Sequence, residues 1–397
     1  MRPGAIAAVS VVAAALGAAA VLLVGSLAGW IDDEGGVRTV VVPTLSAEEG
    51  TAPTVAPLVG AEFDPARIYA SRAEGVVTIH SYFADGQRSQ GSGFVVSDAG
   101  HILTNSHVVT DAGDDRSRVR GATRLYVVFA DGDRIPATIV GWDLFNDTGL
   151  VKVDPKDHRI APVPLGDSSR VVVGEPVAAI GSPFGQEGSL AVGVVSATRR
   201  SIESLTSAYD VSDAIQIDAP INHGNSGGPL LDARGRVIGI NAQIRSDSGN
   251  AEGVGFAIPI NSARRSMEQL ISTGRVAYAY VGVTTQDVTP ALARRYGLAA
   301  ERGALIQSVV EDAPAQRAGL QGSSRRVEFN GIPIGLGGDL IVRFAGRSVE
   351  RAADIARIVT DSLRPGQTVA VTVVRAGTGE RATVRLRLIE RPLDPLR

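Results

Sequence analysis

Cysteine is absent from this 397-residue sequence, which excludes disulfides and thiolate metal sites. Lysine is nearly absent too: Lys152 and Lys156 are the only two among 39 Lys and Arg residues, and the formal net charge is −3. A chain with this balance has no overall basic field, which argues against nucleic acid as a partner. Histidine is scarce, and the spacing of the five residues indicates no metal site, so no metal and no cofactor are expected. The histidines are His80, His101, His107, His158 and His223.

Charge is also absent from the N-terminus, where residues 3–31 carry no ionisable side chain. A membrane-spanning helix needs roughly 20 apolar residues, so this segment is long enough. A cleaved signal peptide is the alternative, but the apolar run continues through residues 21–24, beyond the roughly 7–15 residues of a signal core. We therefore expect an uncleaved transmembrane helix within residues 1–31. Arg2 before the span and the acidic residues 32–34 after it place the N-terminus in the cytoplasm and the rest of the chain outside it.

The remaining sequence divides into three parts. Residues 32–64 contain several prolines and no sustained period, which is typical of a flexible linker. Residues 65–275 consist of short β-rich segments separated by turn residues, which indicates an all-β barrel or sandwich. Residues 276–392 mix strands such as "GALIQSVV" and "TVAVTVVR" with a helical stretch around "ERAADIARIVTDSL". The sequence thus predicts a mainly β domain followed by a smaller α+β domain.

A helix is predicted at the boundary between these two domains, in "INSARRSMEQLISTGRV". Ala263, Met267, Leu270 and Ile271 recur there at helical spacing. Gly274 is placed to end the helix in a left-handed conformation. The β domain therefore closes with a helix near residue 275.

One short stretch, "INHGNSGGPL", places Ser226 in a turn of glycines and small polar residues. A serine hydroxyl becomes a nucleophile only when a base takes its proton and a third group orients that base. His107 in "ILTNSHVV" follows a predicted strand in a turn of small residues, and Asp147 in "FNDTGLVKVD" directly precedes one. Asp143 competes with Asp147 for the acidic role, although it could instead cap a turn. The chain order of histidine, aspartate and serine is that of the chymotrypsin fold.

The blocks "SGFVVSDAGHILTNSHVV", "FNDTGLVKVD" and "GNSGGPL" together resemble the catalytic blocks of the HtrA/DegP family of serine proteases. The resemblance covers roughly residues 65–390, and the C-terminal part is similar to the PDZ domain of such proteases. It implies a chymotrypsin-like double β-barrel followed by an α+β PDZ domain. It also implies that Ser226 is the nucleophile, His107 the general base and then acid, and Asp147 the orienting carboxylate.

The same resemblance implies how substrate is held. The oxyanion hole would comprise Gly224, Asn225 and Ser226, with backbone N–H groups of the two outer residues as donors. Ile221 and Ile244 would line the primary pocket. Trypsin-like enzymes carry an aspartate six positions before the serine, but here that position is Pro220. We therefore expect cleavage after small or medium aliphatic residues rather than after Arg or Lys.

His223 lies three residues before Ser226 and is interpreted as a loop residue. The C-terminal domain is expected to bind peptide C-termini by strand addition, with the carboxylate held by backbone N–H groups. The loop that would hold it comprises Tyr280, Val281, Gly282 and Val283. The family resemblance further implies a homotrimer with contacts from "FDPARIYASRAEGVV", and an activation loop at "RRSIESLTSAYDVSD".

The expected function is a membrane-tethered bacterial serine endopeptidase that cuts unfolded or damaged proteins outside the cytoplasm. Two alternatives remain open. One is a chaperone or PDZ scaffold in which proteolysis is latent, which a replaced triad residue would favour, but none is replaced. The other is a regulatory protease that cuts one membrane-bound signalling protein. A regulatory protease needs the same triad as a peptidase that cuts damaged proteins, so the sequence does not distinguish these two functions.

Overall fold

The structure, a computed structural model, describes residues 63–112, 119–181, 188–221, 224–242 and 254–393. The predicted transmembrane helix and nearly all of the predicted linker lie outside these residues. Phe63 and Asp64 are the only linker residues described, and Asp64 caps the first helix by accepting a hydrogen bond from the Arg67 N–H at 3.0 Å. Over the described ranges, no helix is both long enough and apolar enough to cross a membrane.

Six antiparallel strands close into a first barrel, in the order β1-β2-β3-β6-β5-β4. Their bounds are Val76–Tyr82 (β1), Arg88–Val95 (β2), His101–Thr104 (β3), Arg124–Val128 (β4), Arg134–Asp143 (β5) and Thr148–Lys152 (β6). Gly91 and Gly93 alternate along β2, and an added Cβ would lie 2.5 Å from Val108 at the first position and 2.8 Å from Ile79 at the second. These glycines therefore make room for the barrel core and for the segment that carries His107.

A second barrel follows, in the order β10-β11-β12-β9-β8-β7. Its strands are Pro176–Gly181 (β7), Ser189–Ile202 (β8), Val211–Ile217 (β9), Pro229–Leu231 (β10), Val237–Ala242 (β11) and Gly255–Pro259 (β12). The last three strands are buried along their whole length, which fits their apolar composition. The main β domain is therefore a double barrel, as the sequence predicts.

Helices are short in the double barrel except at its end. They are Pro65–Arg72 (α1), Ser106–Val109 (α2) and Ile260–Thr273 (α3), with 3₁₀ turns at Ala73–Gly75 and Ser168–Arg170. Helix α3 ends at Gly274 with φ 72°, in the left-handed conformation that the sequence predicts. A Cβ on Gly141 of β5 would lie 2.7 Å from Leu270, so glycine lets α3 pack closely against the first barrel.

The C-terminal domain contains a sheet in the order β14-β15-β18-β20-β21, with β19 paired to β18. Its strands are Val283–Val288 (β14), Gly303–Val309 (β15), Leu340–Phe344 (β18), Arg347–Ser348 (β19), Thr368–Val374 (β20) and Arg381–Arg387 (β21). Two small sheets join Ala279–Tyr280 (β13) to Ile389–Glu390 (β22), and Arg325–Phe329 (β16) to Ile332–Leu336 (β17).

Three helices complete this domain: Pro290–Tyr296 (α4), Pro314–Arg317 (α5) and Ala352–Ser362 (α6). Helix α6 buries Ile355, Ile358 and Val359 against the sheet core around Ile306 and Phe344. The α+β character matches the sequence prediction, and the strand pair β13–β22 brings the end of the domain back to its beginning.

Candidate active site

His107 lies on α2, the single helical turn after β3. Its Nδ1 is 2.7 Å from Oδ2 of Asp147, and its side chain is 16% exposed while that of Asp147 is 5% exposed. A histidine held through Nδ1 has Nε2 available for proton transfer, which is the arrangement that a general base requires. The structure thus brings together two of the three residues that the sequence predicts as catalytic.

Asp147 ends the loop between β5 and β6 and has φ 44°, a left-handed conformation that is strained for a non-glycine residue. Its Oδ1 accepts hydrogen bonds from the Ser106 hydroxyl at 2.8 Å and from the His107 backbone N–H at 3.0 Å. Its backbone carbonyl accepts from Asn105 Nδ2 at 2.8 Å. Four hydrogen bonds, counting that of the imidazole, therefore hold this carboxylate and its backbone in one orientation.

Asp143, the competing acid, has a different position. Its Oδ1 accepts from the backbone N–H groups of Phe145 at 3.0 Å and Asn146 at 3.3 Å, so it caps the turn that leads to Asp147. Burial raises the pKa of this carboxyl, against the lowering effect of the hydrogen bonds that it accepts. The acid beside His107 is therefore Asp147, and Asp143 shapes the loop.

Two opposing effects act on the pKa of His107. Burial of the ring lowers it, whereas the Asp147 carboxylate raises it through its charge and its hydrogen bond, and the net shift is upward. The ring therefore stays protonated to a higher pH than an ordinary histidine. A reaction that needs the neutral ring as a base would lose rate as the pH falls through this raised pKa.

Ser226 lies in the turn before β10, where it faces the first barrel. Its backbone carbonyl accepts from the Ser92 N–H of β2 at 2.8 Å, and the Ser92 hydroxyl donates to the Gly224 carbonyl at 2.6 Å. Gly224 and Gly227 have φ 101° and 87°, which favour glycine at both positions. Ser226 is only 4% exposed, and its Oγ has no hydrogen-bond partner among the described residues. A buried hydroxyl that is left unpaired costs free energy, so its position points to a function rather than to packing.

The backbone N–H groups of this turn divide into two sets. Those of Gly227 and Gly228 donate to Asn241 and Asn225 carbonyls at 2.9 and 3.0 Å. Those of Gly224, Asn225 and Ser226 donate to no residue within the ranges that the structure describes. Unused donors beside a serine hydroxyl can stabilise a developing oxyanion.

The predicted substrate pocket is only partly described. Ile221 is half-buried against the core of the second barrel, and a Cβ on Gly255 would lie 2.8 Å from its Cγ1. Ile244 and His223 lie outside the described residues.

The predicted carboxylate-binding loop runs from β13 into β14 and places Gly282 at φ 80°. The Val281 and Gly282 carbonyls accept from Ala315 at 3.0 Å and Val310 at 2.9 Å. Their N–H groups donate to no residue in the described part of the chain. The loop therefore combines fixed carbonyls with unused donors, as carboxylate capture requires.

Sequence reasoning missed the residues that support the site: Ser92, Asn105 and Ser106. The last two immediately precede His107, and the run of small polar residues "TNSH" was a usable signal, because Asn and Ser side chains hydrogen-bond nearby backbone and carboxylate groups. Ser92 lies 132 residues from its partner Gly224, and no local pattern indicates that contact.

A double β-barrel with a histidine–aspartate pair and a buried serine between glycines defines the class of trypsin-like serine peptidases. Comparison with known proteins agrees with this class. The family model described as a trypsin-like peptidase domain matches residues 91–240, and that of the PDZ domain matches residues 279–386.

The chain belongs to the HtrA-type family of serine proteases. It is 32% identical to the solved structure of the HtrA-type protease AlgW with a tripeptide, which covers 83% of this chain and 98% of that one with a TM-score of 0.68. It is 39% identical over 298 residues to a probable periplasmic serine endoprotease DegP-like of Brucella suis, and 37% identical over 299 residues to the chloroplastic protease Do-like 1 of Arabidopsis thaliana. Each alignment covers 75% of this chain, and they cover 52% and 64% of the two relatives. The chain thus spans about half to two thirds of the length of these curated relatives.

Proposed function

We propose that this chain is a serine endopeptidase that cuts unfolded or damaged proteins outside the cytoplasm. The observation that carries the proposal is the constrained pair of His107 and Asp147 on the first barrel, against which a glycine turn with an unpaired, buried Ser226 is hydrogen-bonded. Membership of a family whose relatives are named serine endoproteases supports it.

In the proposed reaction, Ser226 Oγ attacks the peptide carbonyl while Nε2 of His107 takes its proton. The protonated ring is stabilised by Asp147 and then gives the proton to the leaving amine. A water molecule, deprotonated by the same ring, hydrolyses the acyl-enzyme and restores the serine. Because Nδ1 of His107 is held by Asp147, Nε2 is the ring nitrogen that performs both transfers.

We assign the oxyanion hole to the turn 224–226, with the N–H groups of Gly224 and Ser226 as donors and Asn225 between them. The unused donors in this turn support the assignment. Removal of one such donor typically reduces the rate by about 10²–10³-fold.

The proposed primary pocket is lined by Ile221 and Ile244 and lacks an acidic base, since Pro220 stands at that position. An apolar pocket of this kind favours small or medium aliphatic residues before the cut. It gives no compensation for a buried lysine or arginine charge.

The remaining proposals concern location and partners. Residues 1–31 would form a single transmembrane helix with a cytoplasmic N-terminus, and the names of periplasmic relatives support an extracytoplasmic peptidase. The PDZ domain would bind peptide C-termini at the Tyr280–Val283 loop. A homotrimer would use the α1 region, where Leu190 and Val192 of the neighbouring β8 are 36% and 43% exposed.

The test uses the full chain in detergent micelles, with a fluorophosphonate serine probe and digestion of β-casein as readouts. We expect the wild type to be labelled and to digest casein, and Ser226→Ala to do neither, because the variant lacks the attacking oxygen. Ser272→Ala, which changes an exposed serine of α3, is the matched control and should behave as wild type.

Failure of both labelling and digestion by a folded wild type, also with peptides ending in a free apolar carboxylate added, would contradict the proposal. Labelling without digestion would retain the mechanism but point to a narrow substrate range, which is the case of a regulatory protease.

A further inference from the structure

Tyr278 lies at the start of the C-terminal domain and outside both family matches, which end at residue 240 and begin again at residue 279. Its hydroxyl nevertheless reaches the loop that carries Asp147. It donates to Asp143 Oδ2 at 2.5 Å and accepts from Asn146 Nδ2 at 2.6 Å. One side chain thus bonds two residues of the five-residue loop that ends in Asp147.

The same tyrosine packs against the middle of this loop. Its ring meets that of Phe145 edge to face, with centroids 5.2 Å apart and an interplanar angle of 77°. Asp143 Oδ2 also accepts from the Ser266 hydroxyl of α3 at 2.6 Å. The Thr206 hydroxyl donates to the Leu144 carbonyl at 2.7 Å. Away from His107, the loop is therefore held by Tyr278 together with Ser266 and Thr206.

Arg391, five residues beyond the PDZ match, lies over this cluster. Its guanidinium carbon is 5.3, 5.1 and 5.5 Å from the ring centroids of Phe145, Tyr209 and Tyr278. The strand pair β13–β22 and a 2.8 Å hydrogen bond from the Arg391 N–H to the Tyr278 carbonyl fix this position. A cation that covers three aromatic rings stabilises them in one arrangement.

The loop needs such support because Asp147 has a left-handed backbone conformation, which persists only where surrounding contacts determine it. On the active-site side, those contacts come from Asn105, Ser106 and His107. Elsewhere in the loop, the Tyr278 hydroxyl bonds both Asp143 and Asn146, and Ser266 supplies a second bond to Asp143 only. If that hydroxyl is lost, the buried Asp143 carboxylate and the buried Asn146 amide each lose a hydrogen-bond partner. Unpaired buried polar groups raise the free energy of this loop conformation and favour its rearrangement.

We propose that Tyr278, covered by Arg391, is a positioning residue for catalysis that holds the Asp143–Asp147 loop and thereby keeps the Asp147 carboxylate on His107. This inference rests on the proposed peptidase function. It assigns a role in the reaction to two residues that neither domain match contains.

The test compares Tyr278→Phe and Arg391→Ala with wild type in the full chain. The matched controls are Tyr296→Phe, whose hydroxyl donates to the Glu328 carbonyl at the surface of the PDZ domain, and Arg387→Ala on neighbouring β21. Three quantities are measured: the rate of fluorophosphonate labelling against pH, kcat and KM on casein, and the pKa of His107 by NMR of histidine labelled with ¹³C at Cε1. His107→Gln identifies the signal. The surrounding charged or titratable groups are Asp143, Arg265, Tyr209 and Arg391.

For Tyr278→Phe we expect a loss of roughly 10- to 100-fold in labelling rate and kcat, the size of effect that a misplacement of about 1 Å produces. KM should stay within about twofold, because the pocket is elsewhere. The pKa of His107 and the acid limb of the labelling profile should both move to lower pH, since Asp147 no longer raises the pKa. Arg391→Ala should show the same changes at a smaller size, roughly 3- to 10-fold.

A folded Tyr278→Phe with the wild-type labelling rate and wild-type His107 pKa would overturn the proposal, even if its melting temperature fell. If Tyr278→Phe does not fold, the pKa of His107 in Arg391→Ala is the test, and a wild-type value would overturn the proposal. An unlabelled wild type would contradict the proposed function instead. The NMR titration would still decide the positioning, because it requires no turnover.

Discussion

The two ring nitrogens of His107 have different surroundings, and this difference defines what the residue can do. Nδ1 faces the Asp147 carboxylate, which can only accept, so the proton of the neutral ring resides on Nδ1. Nε2 then carries the lone pair that can accept a proton. The tautomer of His107 that can act as a base is therefore selected by Asp147 Oδ2, rather than by the net charge around the ring.

Asp147→Asn should change the tautomer of His107 and leave its position unchanged. The asparagine Oδ1 can keep the bonds from Ser106 and the His107 N–H, but its amide N–H₂ would face Nδ1 and force the proton onto Nε2. We expect kcat to fall by about 10⁴-fold while the fold is retained, as a wrong tautomer requires. Steady-state hydrolysis of casein, with circular dichroism to verify folding, measures the effect.

Asp131→Asn is the matched control for this prediction. Asp131 Oδ2 lies 3.0 Å from Nε2 of His158, so it forms a second histidine–aspartate pair, but at the surface of the first barrel. The proposed mechanism makes no use of that pair, and its loss should leave kcat unchanged. Equal losses from the two substitutions would indicate a general effect of charge rather than control of the His107 tautomer.

Between β9 and β10, the turn that holds Ser226 fits against the first barrel with almost no spare space. A Cβ on Gly227 would lie 2.2 Å from the Ser92 carbonyl oxygen and 2.4 Å from the Thr104 hydroxyl. Both neighbours belong to strands of the first barrel. The geometry of the serine turn is therefore set jointly by its own glycines and by strands β2 and β3.

Gly227→Ala tests this dependence at the level of the element. The substitution introduces a left-handed alanine, which costs about 1–2 kcal/mol, and overpacking against rigid backbone, which adds about 1–3 kcal/mol. We expect a lower melting temperature and a strong loss of fluorophosphonate labelling, because the neighbouring Ser226 must move. Scanning fluorimetry and labelling rates measure the two effects.

Gly86→Ala separates the two causes. Gly86 has the same φ of 87°, but nothing lies within 4 Å of an added Cβ. Gly86→Ala should therefore lose only the stability that a left-handed alanine costs, and its fluorophosphonate labelling should equal that of the wild type. If both variants lost the same stability and Gly227→Ala were labelled normally, the close packing of this turn would have no catalytic importance.

Elements with a local pattern could be predicted from the sequence, whereas long-range supports could not. The spacing in "INSARRSMEQLISTG" predicted α3 and its end at Gly274, although Ile271 of that pattern is 51% exposed in the structure. The glycine turn around Ser226 and the small residues before His107 likewise indicate their geometry locally. Asp143 shows the limit, since its partner Tyr278 is 135 residues away and no periodicity in either segment reveals the bond.

Charged residues connect the second barrel to the PDZ domain. Arg265 of α3 pairs with Asp361 of α6 at 2.7 Å, and Asp213 of β9 faces the same group of charges. Burial, and then repulsion from Asp361, raise the pKa of Asp213 against the attraction of Arg357, Arg199 and Arg265. The charge on Asp213 is therefore unfavourable in the folded chain despite three nearby arginines.

Asp213→Asn is expected to stabilise the protein at neutral pH. Because the pKa of Asp213 is raised on folding, its contribution to stability is fully present below the unfolded value of about 3.9 and is lost as the pH rises through the folded value. Asparagine does not titrate and tolerates the left-handed φ of 61° at this position. The gain should be at most about 1 kcal/mol, because the group is partly exposed.

The pH series distinguishes this cause from a general effect of the substitution. Melting temperatures of wild type and Asp213→Asn should differ at pH 7 and converge as the pH falls below about 3, where the aspartate is neutral in both the folded and the unfolded state. Asp361→Asn should give a smaller gain at pH 7, because loss of its charge relieves the repulsion on Asp213 but also breaks the ion pair with Arg265. A stability gain in Asp213→Asn that persisted unchanged at about pH 3 would contradict the electrostatic account, and would instead assign the gain to the backbone conformation at residue 213.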